Sequence, residues 1–157
     1  MVPYEGGCLC AAVRYRVTEA PLSCYVCHCT DCQRRTGSAF AISLFVRRSA
    51  IELLNGTTSP YAARLADGRS KHGQYCAQCA TRLWGEPAKA PHIAVVQTGT
   101  LDSADQFRPI AHIWTRSAQS WILIAADALI YEQQPADPLE LFRRWRDREI
   151  ERQNNDK

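Results

Sequence analysis

The sequence predicts a mainly β fold, with one short helix after a central cysteine group and a second helix at the C-terminus. Three observations carry that expectation. Short runs of β-branched and aromatic residues alternate with turn formers, eight cysteines fall in three tight groups, and only two segments carry helix start signals. A chain of 157 residues, 46% hydrophobic and 22% charged, suits one ordinary domain with one core.

The strands come first. In "AAVRYRV", Val13, Tyr15 and Val17 alternate with Arg14 and Arg16, the period-two pattern of a strand with one buried face. This is expected to be the first strand, directly after the first thiol pair. "AFAISLFV" (39–46), "IELL" (51–54), "SKHGQYC" (70–76), "HIAVVQT" (92–98), "AHIWT" (111–115) and "SWILI" (120–124) have similar length and composition. Asn55-Gly56, Asp67-Gly68, Gly85-Glu86-Pro87 and Gly99 supply the turns between them.

Two segments read as helix. "TDCQRRTG" is long enough for one or two turns, with Thr30 or Asp31 as its cap and Gly37 as its stop. At the C-terminus Asp137 suits the N-cap, Pro138 the first helical position and Glu140 the third, a capping-box pattern that opens "PLELFRRWRDREIERQ". Leu141, Phe142 and Trp145 form its apolar stripe, and Glu140 with Arg144 and Arg143 with Asp147 stand four apart on exposed faces. The stripe suits packing on the chain's own sheet, and would also serve a homodimer. A polar tail, "QNNDK", follows.

Charge and hydropathy narrow the function classes. The net charge is +3, and acidic and basic side chains are mixed along the chain, so nothing marks a nucleic-acid partner. The start, "MVPYEGGCLC", has no basic residue followed by an apolar stretch, and no run of about 18 apolar residues occurs later, so neither export nor a membrane span is expected. The expected location is the cytoplasm. Thiols there stay reduced, and closely spaced ones bind metal more often than they form disulfides.

The cysteines divide into two constellations. Cys8-x-Cys10 and Cys76-x-x-Cys79 are more than sixty residues apart, yet together they supply four thiolates, the usual structural set for tetrahedral zinc. In an extended strand, side chains two apart share a face, so Cys8 and Cys10 can reach one ion. Such a site would tie the N-terminal strand to a later hairpin, a structural role. The second constellation is "SCYVCHCTDC". Cys27, Cys29 and Cys32 are close enough for one ion, and three protein ligands leave a fourth tetrahedral position open. Cys24 leaves three readings: a fourth ligand closing an inert cluster, a buried small thiol, or a redox partner of Cys27, the last without the βαβ setting of thioredoxin-type pairs. His28 lies between two candidate ligands, so in extended backbone its ring faces away from their ion. His72, His92 and His112 each stand alone on strand-like stretches and read as core or surface histidines. Arg34 and Arg35 read equally as solvated charges or as contacts for an anionic ligand.

"GGCLCAAVRYRV", "CHCTDCQRRTGSAFA", "YCAQCATRL", "GTLDSADQFRP" and "HIWTRSAQSWI" occur in the order and spacing of a known family. Over roughly residues 4 to 135 the chain resembles the glutathione-dependent formaldehyde-activating enzymes, a family that also includes centromere protein V. The resemblance implies a β-tent of small antiparallel sheets holding two zinc ions per chain. It implies Cys8, Cys10, Cys76 and Cys79 as structural zinc ligands and Cys27, Cys29 and Cys32 as catalytic zinc ligands. It further implies a carbon-sulfur lyase that joins glutathione, a small-molecule thiol, to formaldehyde. On this basis residues 1–136 are expected to form the zinc-binding domain, with residues 137–157 packed on it. Two positions depart from the family pattern: Cys24 lies outside its ligand set, and Ala80 stands where glycine is common after C-x-x-C, which makes a strained turn an expectation. The rival expectation is a non-catalytic binding module with two closed four-cysteine sites.

Overall fold

A computed structural model describes residues 3–65, 67–137 and 139–155. In chain order the strands are β1 (Tyr4–Gly7), β2 (Arg14–Val17), β3 (Ser23–Cys27), β4 (Ala41–Arg47), β5 (Ile51–Asn55), β6 (Ser59–Arg64), β7 (Ser70–Tyr75), β8 (Arg82–Glu86), β9 (Ile93–Gln97), β10 (Ala111–Ile113) and β11 (Leu129–Tyr131). Helix α1 (Thr30–Thr36) follows β3, and α2 (Glu140–Asn155) follows β11. The fold is mainly β with small antiparallel sheets and two helices, as the sequence predicts. The chain forms two compact units, one from residues 3–21 with Leu44–Gln106 and one from Leu22–Ser43 with residues 107–155; β4 runs from one into the other.

In the first unit β1, β2 and β5 form an antiparallel sheet with β2 in the middle, and β6 to β9 form an antiparallel meander. The alternation in β2 has the expected outcome. Tyr15 and Val17 are wholly buried and their arginine neighbours only half so. Tyr15 meets the edge of Trp84 and its hydroxyl bonds Thr100 Oγ1 at 2.7 Å, so the largest side chains of this core have their polar atoms satisfied. A strand precedes the thiol pair, β1, so β2 is the second and not the first. Short, glycine-ended β1 carries little apolar signal of its own and is held by pairing to β2. Gly56 and Gly68 take the left-handed turn conformation expected of Asn-Gly and Asp-Gly, whereas Gly85 and Glu86 lie inside β8.

The second unit departs further from simple hairpins. β10 pairs in parallel with both β3 and β11. Parallel neighbours need long connections, and the chain supplies them between β3 and β10 and between β10 and β11. β3 is buried at every position, so it shows no alternation and escapes a period-two search. Helix α2 packs on it: Leu141 and Trp145 are buried, Phe142 is half-buried, and Ser23 Oγ donates to the Leu141 carbonyl at 3.1 Å. The helix begins at Glu140, three residues after Asp137, whose carboxylate accepts from the Leu139 N–H at 2.9 Å; Pro138 lies outside the described residues. The exposed ion pairs differ from the expected ones. Glu140 accepts from the Tyr131 hydroxyl at 2.8 Å, and Arg143 reaches back to Asp137. The helix runs to Asn155, through part of the supposed polar tail.

"SWILI" is not a strand. Its first residues form a turn closed by the Ile122 N–H on the Gln119 carbonyl, and Trp121 and Leu123 are 69% and 96% exposed. Apolar composition made the segment resemble a strand, but a strand also needs a ladder partner, and here none is supplied. No helix among the described residues is long and apolar enough to cross a membrane.

Candidate metal centres

Both cysteine sets converge. The sulfurs of Cys8, Cys10, Cys76 and Cys79 lie within 4.8 Å of one another in the first unit, and those of Cys27, Cys29 and Cys32 do so in the second. All eight cysteines are thiols, not disulfides.

The four-cysteine set is built from two turns of matching design. The Cys8 N–H donates to the Val13 carbonyl at 3.0 Å, its carbonyl accepts from the Ala11 N–H at 3.0 Å, and its sulfur accepts from the Val13 N–H at 3.2 Å. On the other side the Cys76 N–H donates to the Thr81 carbonyl at 2.9 Å and its carbonyl accepts from the Ala80 N–H at 2.9 Å. Each turn then passes through an alanine in left-handed backbone, Ala11 at φ 60° and Ala80 at φ 59°. The strain expected at Ala80 is therefore present, and Ala11 shares it. Cys8 and Cys10 converge through this turn and not through an extended strand, which corrects the sequence argument while keeping its result. Cys76 follows β7 and β8 begins at Arg82, so the second pair sits at the hairpin end.

Sulfur spacing fits tetrahedral zinc. Bonds of roughly 2.3 Å place neighbouring sulfurs about 3.8 Å apart. Cys8 and Cys10 sulfurs are 3.6 Å apart, and Cys10 and Cys76 sulfurs 3.8 Å. The ionisation of the set points the same way. A Thr81 side-chain hydrogen bond brings Cys79 down to about 5, whereas Cys10, despite a backbone bond at Ala12 that favours its thiolate, is pushed up to about 12 by the sulfurs of Cys79 and Cys8. Thiolates packed this closely repel one another, and a bound cation would compensate them.

The triplet is assembled differently. Cys27 ends β3, Cys29 is the N-cap of α1, and Cys32 lies in that helix's first turn. The cap expected at Thr30 or Asp31 is thus one residue earlier: Cys29 has extended backbone, and its sulfur accepts from the Cys32 N–H at 3.4 Å. Gly37 ends the helix at φ 64°, as expected. Cys27 and Cys32 are buried and Cys29 is half-buried. The Cys29 and Cys32 sulfurs, together with burial, push the Cys27 thiol far up. Arg35 lies half-buried with Nη2 3.9 Å from the Cys32 sulfur, while Arg34 is exposed.

Cys24 belongs to neither group. Its side chain is wholly buried and its thiol donates to the Phe107 carbonyl at 3.8 Å. His28 is wholly buried, its Nε2 2.8 Å from His112 Nδ1 with the two rings stacked. His112 is therefore not isolated, contrary to the reading of the sequence; nothing in a single chain shows that positions 84 apart on parallel strands will pair. Burial holds both imidazoles below the usual histidine range, and His112 adds to the effect on His28. His72 and His92 are exposed. Gln33, Ser117 and Gln119 also gather beside the triplet, and the sequence reading missed all three.

Residues 3–117 match the family described as glutathione-dependent formaldehyde-activating enzyme. A Halomonas elongata protein provisionally named as such an enzyme is 30% identical over 128 residues, covering 76% of this chain and 80% of the relative. A crystal structure of a Rhodobacter sphaeroides protein superposes with a TM-score of 0.51 at 20% identity, covering 67% of this chain and 96% of that one, a likeness of fold. With the cysteine sets in place and the match spanning most of its length, the chain belongs to the glutathione-dependent formaldehyde-activating enzyme family.

Proposed function

We propose that the protein is a cytoplasmic zinc-dependent enzyme of carbon-sulfur lyase type that acts on a thiol–aldehyde adduct, joining glutathione to formaldehyde to give S-hydroxymethylglutathione. One observation carries the reading: three sulfurs converge at Cys27, Cys29 and Cys32, and no further cysteine, histidine or carboxylate completes that group among the described residues. In this reading Cys8, Cys10, Cys76 and Cys79 hold a structural zinc ion. The triplet holds the catalytic one, with its fourth tetrahedral position left for a reactant. Residues 1–136 carry both centres, and the C-terminal segment supports β3, the strand that ends in Cys27.

The reaction needs no redox partner. The thiol gives up its proton, a carbon–sulfur bond forms at the aldehyde carbon, and a proton ends on the former carbonyl oxygen. Zinc bound at the triplet would supply a position for the thiol sulfur and a positive charge that favours its thiolate. The chain's own residues set the limits of that chemistry. Three thiolates leave a formal charge of −1 on a Zn²⁺ site, which weakens carbonyl polarisation and favours thiol delivery. Arg35, beside the Cys32 sulfur, offsets part of that charge. Cys24 supports the open triplet over the closed four-cysteine alternative, because its thiol bonds the Phe107 carbonyl.

Zinc stoichiometry with X-ray absorption tests the sites: two ions, one with four sulfurs and one with three sulfurs and a lighter ligand, are expected. Two four-sulfur shells would favour the binding module. NMR exchange between glutathione and formaldehyde tests the activity, since the adduct also forms uncatalysed. Exchange that is unchanged by the protein and by Cys29→Ser alike would refute it.

A further inference from the structure

We propose that Gln33 is a positioning residue of the triplet, a clamp that orients the peptide between His28 and Cys29; the proposal rests on the reading that the triplet holds a metal ion.

The carboxamide of Gln33 is engaged on both sides. Nε2 donates to the His28 carbonyl at 2.7 Å and to the Ser117 carbonyl at 2.8 Å, and Oε1 accepts from Gln119 Nε2 at 3.0 Å. The backbone N–H of the same residue donates to the Cys29 carbonyl at 3.0 Å. Gln33 therefore holds two successive carbonyls, one on each side of Cys29. Ser117 Oγ lies 3.0 Å from the same His28 carbonyl and 3.0 Å from the Trp114 carbonyl, and shares its one proton between them.

His28 is fixed at its other groups too. Its N–H donates to the Ile113 carbonyl at 3.0 Å and its Nε2 meets His112, leaving only Nδ1 without a partner among the described residues. The peptide plane at His28–Cys29 sets the direction of the Cys29 side chain. Cys29 is the least buried residue of the three and the N-cap of α1. Without the carboxamide, Cys29 would keep its place in the chain and lose the constraint that aims it at Cys27 and Cys32. Hydrogen-bond partners behind metal ligands typically change metal affinity ~10-fold or more when removed.

Cobalt(II) titration of the full chain, followed by absorption, tests the clamp. The wild type is expected to bind two equivalents, the triplet's being the one lost in Cys29→Ser. Gln33→Met fills the space without donors, and is expected to leave the four-cysteine spectrum intact while weakening the triplet's cobalt ~10-fold and altering its d–d bands. Gln33→Glu, an acceptor set against two carbonyls, should weaken it further. That order, Gln above Met above Glu, is not what a space-filling role would give. Equal affinity and an unchanged spectrum in Gln33→Met would overturn the proposal. Should Gln33→Met lose both sites by unfolding, Ser117→Ala, which removes one of two donors to His28, must weaken the triplet alone in the same direction; no change there overturns it. A wild type that takes up cobalt only at the four-cysteine site overturns the metal reading, and the clamp with it.

Discussion

Replacing Ala80 by glycine should stabilise the protein. Ala80 sits at φ 59° in the turn after Cys79, a region that costs a residue with a Cβ roughly 1–2 kcal/mol. Glycine removes that cost and returns about 0.5–1 kcal/mol to the unfolded chain through its greater freedom there. The expected net gain is about 0.5–1 kcal/mol. For a chain of this size each kcal/mol moves the melting temperature by about 2–4 °C, so a rise of about 2 °C is expected. Urea unfolding with free zinc buffered at one concentration is the assay, because the energy of metal binding enters the energy of folding. Ala11→Gly, at φ 60° in the partner turn, should behave alike, but the two changes act on one cluster and need not add. Ala62→Gly in exposed β6 is the control and should cost about 0.5–1 kcal/mol. Loss of stability in Ala80→Gly, alongside the expected loss in the control, would refute the claim that this turn is strained.

Three further outcomes follow from particular contacts. Cys24→Ala should leave zinc content and the triplet's sulfur count unchanged while costing about 1–2 kcal/mol for a buried group, as read by X-ray absorption and urea unfolding; loss of one zinc would make Cys24 a ligand. Gly56→Ala should lose more than about 2 kcal/mol, since Gly56 has φ 73° and an added Cβ would stand 2.0 Å from the Ala12 carbonyl oxygen; a near-native urea midpoint would contradict this. The hydrogen bonds of Arg14 hold Asp102 below the usual aspartate range, one of them at 2.9 Å. Bonds from Trp84, Arg48 and Gln74 overcome burial and do the same for Glu86. Lowered carboxyl values in the folded state mean that the unfolded chain binds protons first. Their stabilisation is present above about pH 4.5 and is lost as pH falls through the folded values. The urea-midpoint difference between wild type and Asp102→Asn should therefore shrink in acid, and a constant difference from pH 7 to 3 would refute the link.

Much of the molecule was legible because some of its chemistry is local. The thiol spacings announced two clusters, since few uses other than metal binding gather reduced cysteines so closely. The β2 alternation announced a half-buried strand because Tyr15 and Val17 share a face whatever lies around them. Illegible features depend on partners distant in sequence. β3 is buried on both faces, so its pattern is flat; β10 is parallel to neighbours far along the chain; and the roles of Gln33 and His112 exist only through carbonyls and a ring that other segments bring to them. "SWILI" shows the converse, strand-like residues with no ladder to join.

The contrast between the two clusters also explains why one chain can hold a four-sulfur set and a three-sulfur set. Two turns that each deliver two sulfurs to a common point close a tetrahedron by construction, and matching backbone bonds at Cys8 and Cys76 enforce it. The triplet draws its sulfurs from a strand end and a helix start, which offer one and two. The nearest additional thiol is Cys24, three residues before Cys27 on the same strand. An odd offset on a strand turns a side chain to the opposite face. Cys24 and Cys27 keep that opposition in any register of β3, since a one-residue slip turns both side chains over together, and the Cys24 carbonyl is held by the Ile110 N–H at 3.0 Å. In the proposed reading, strand parity on β3 is what keeps Cys24 from completing the triplet.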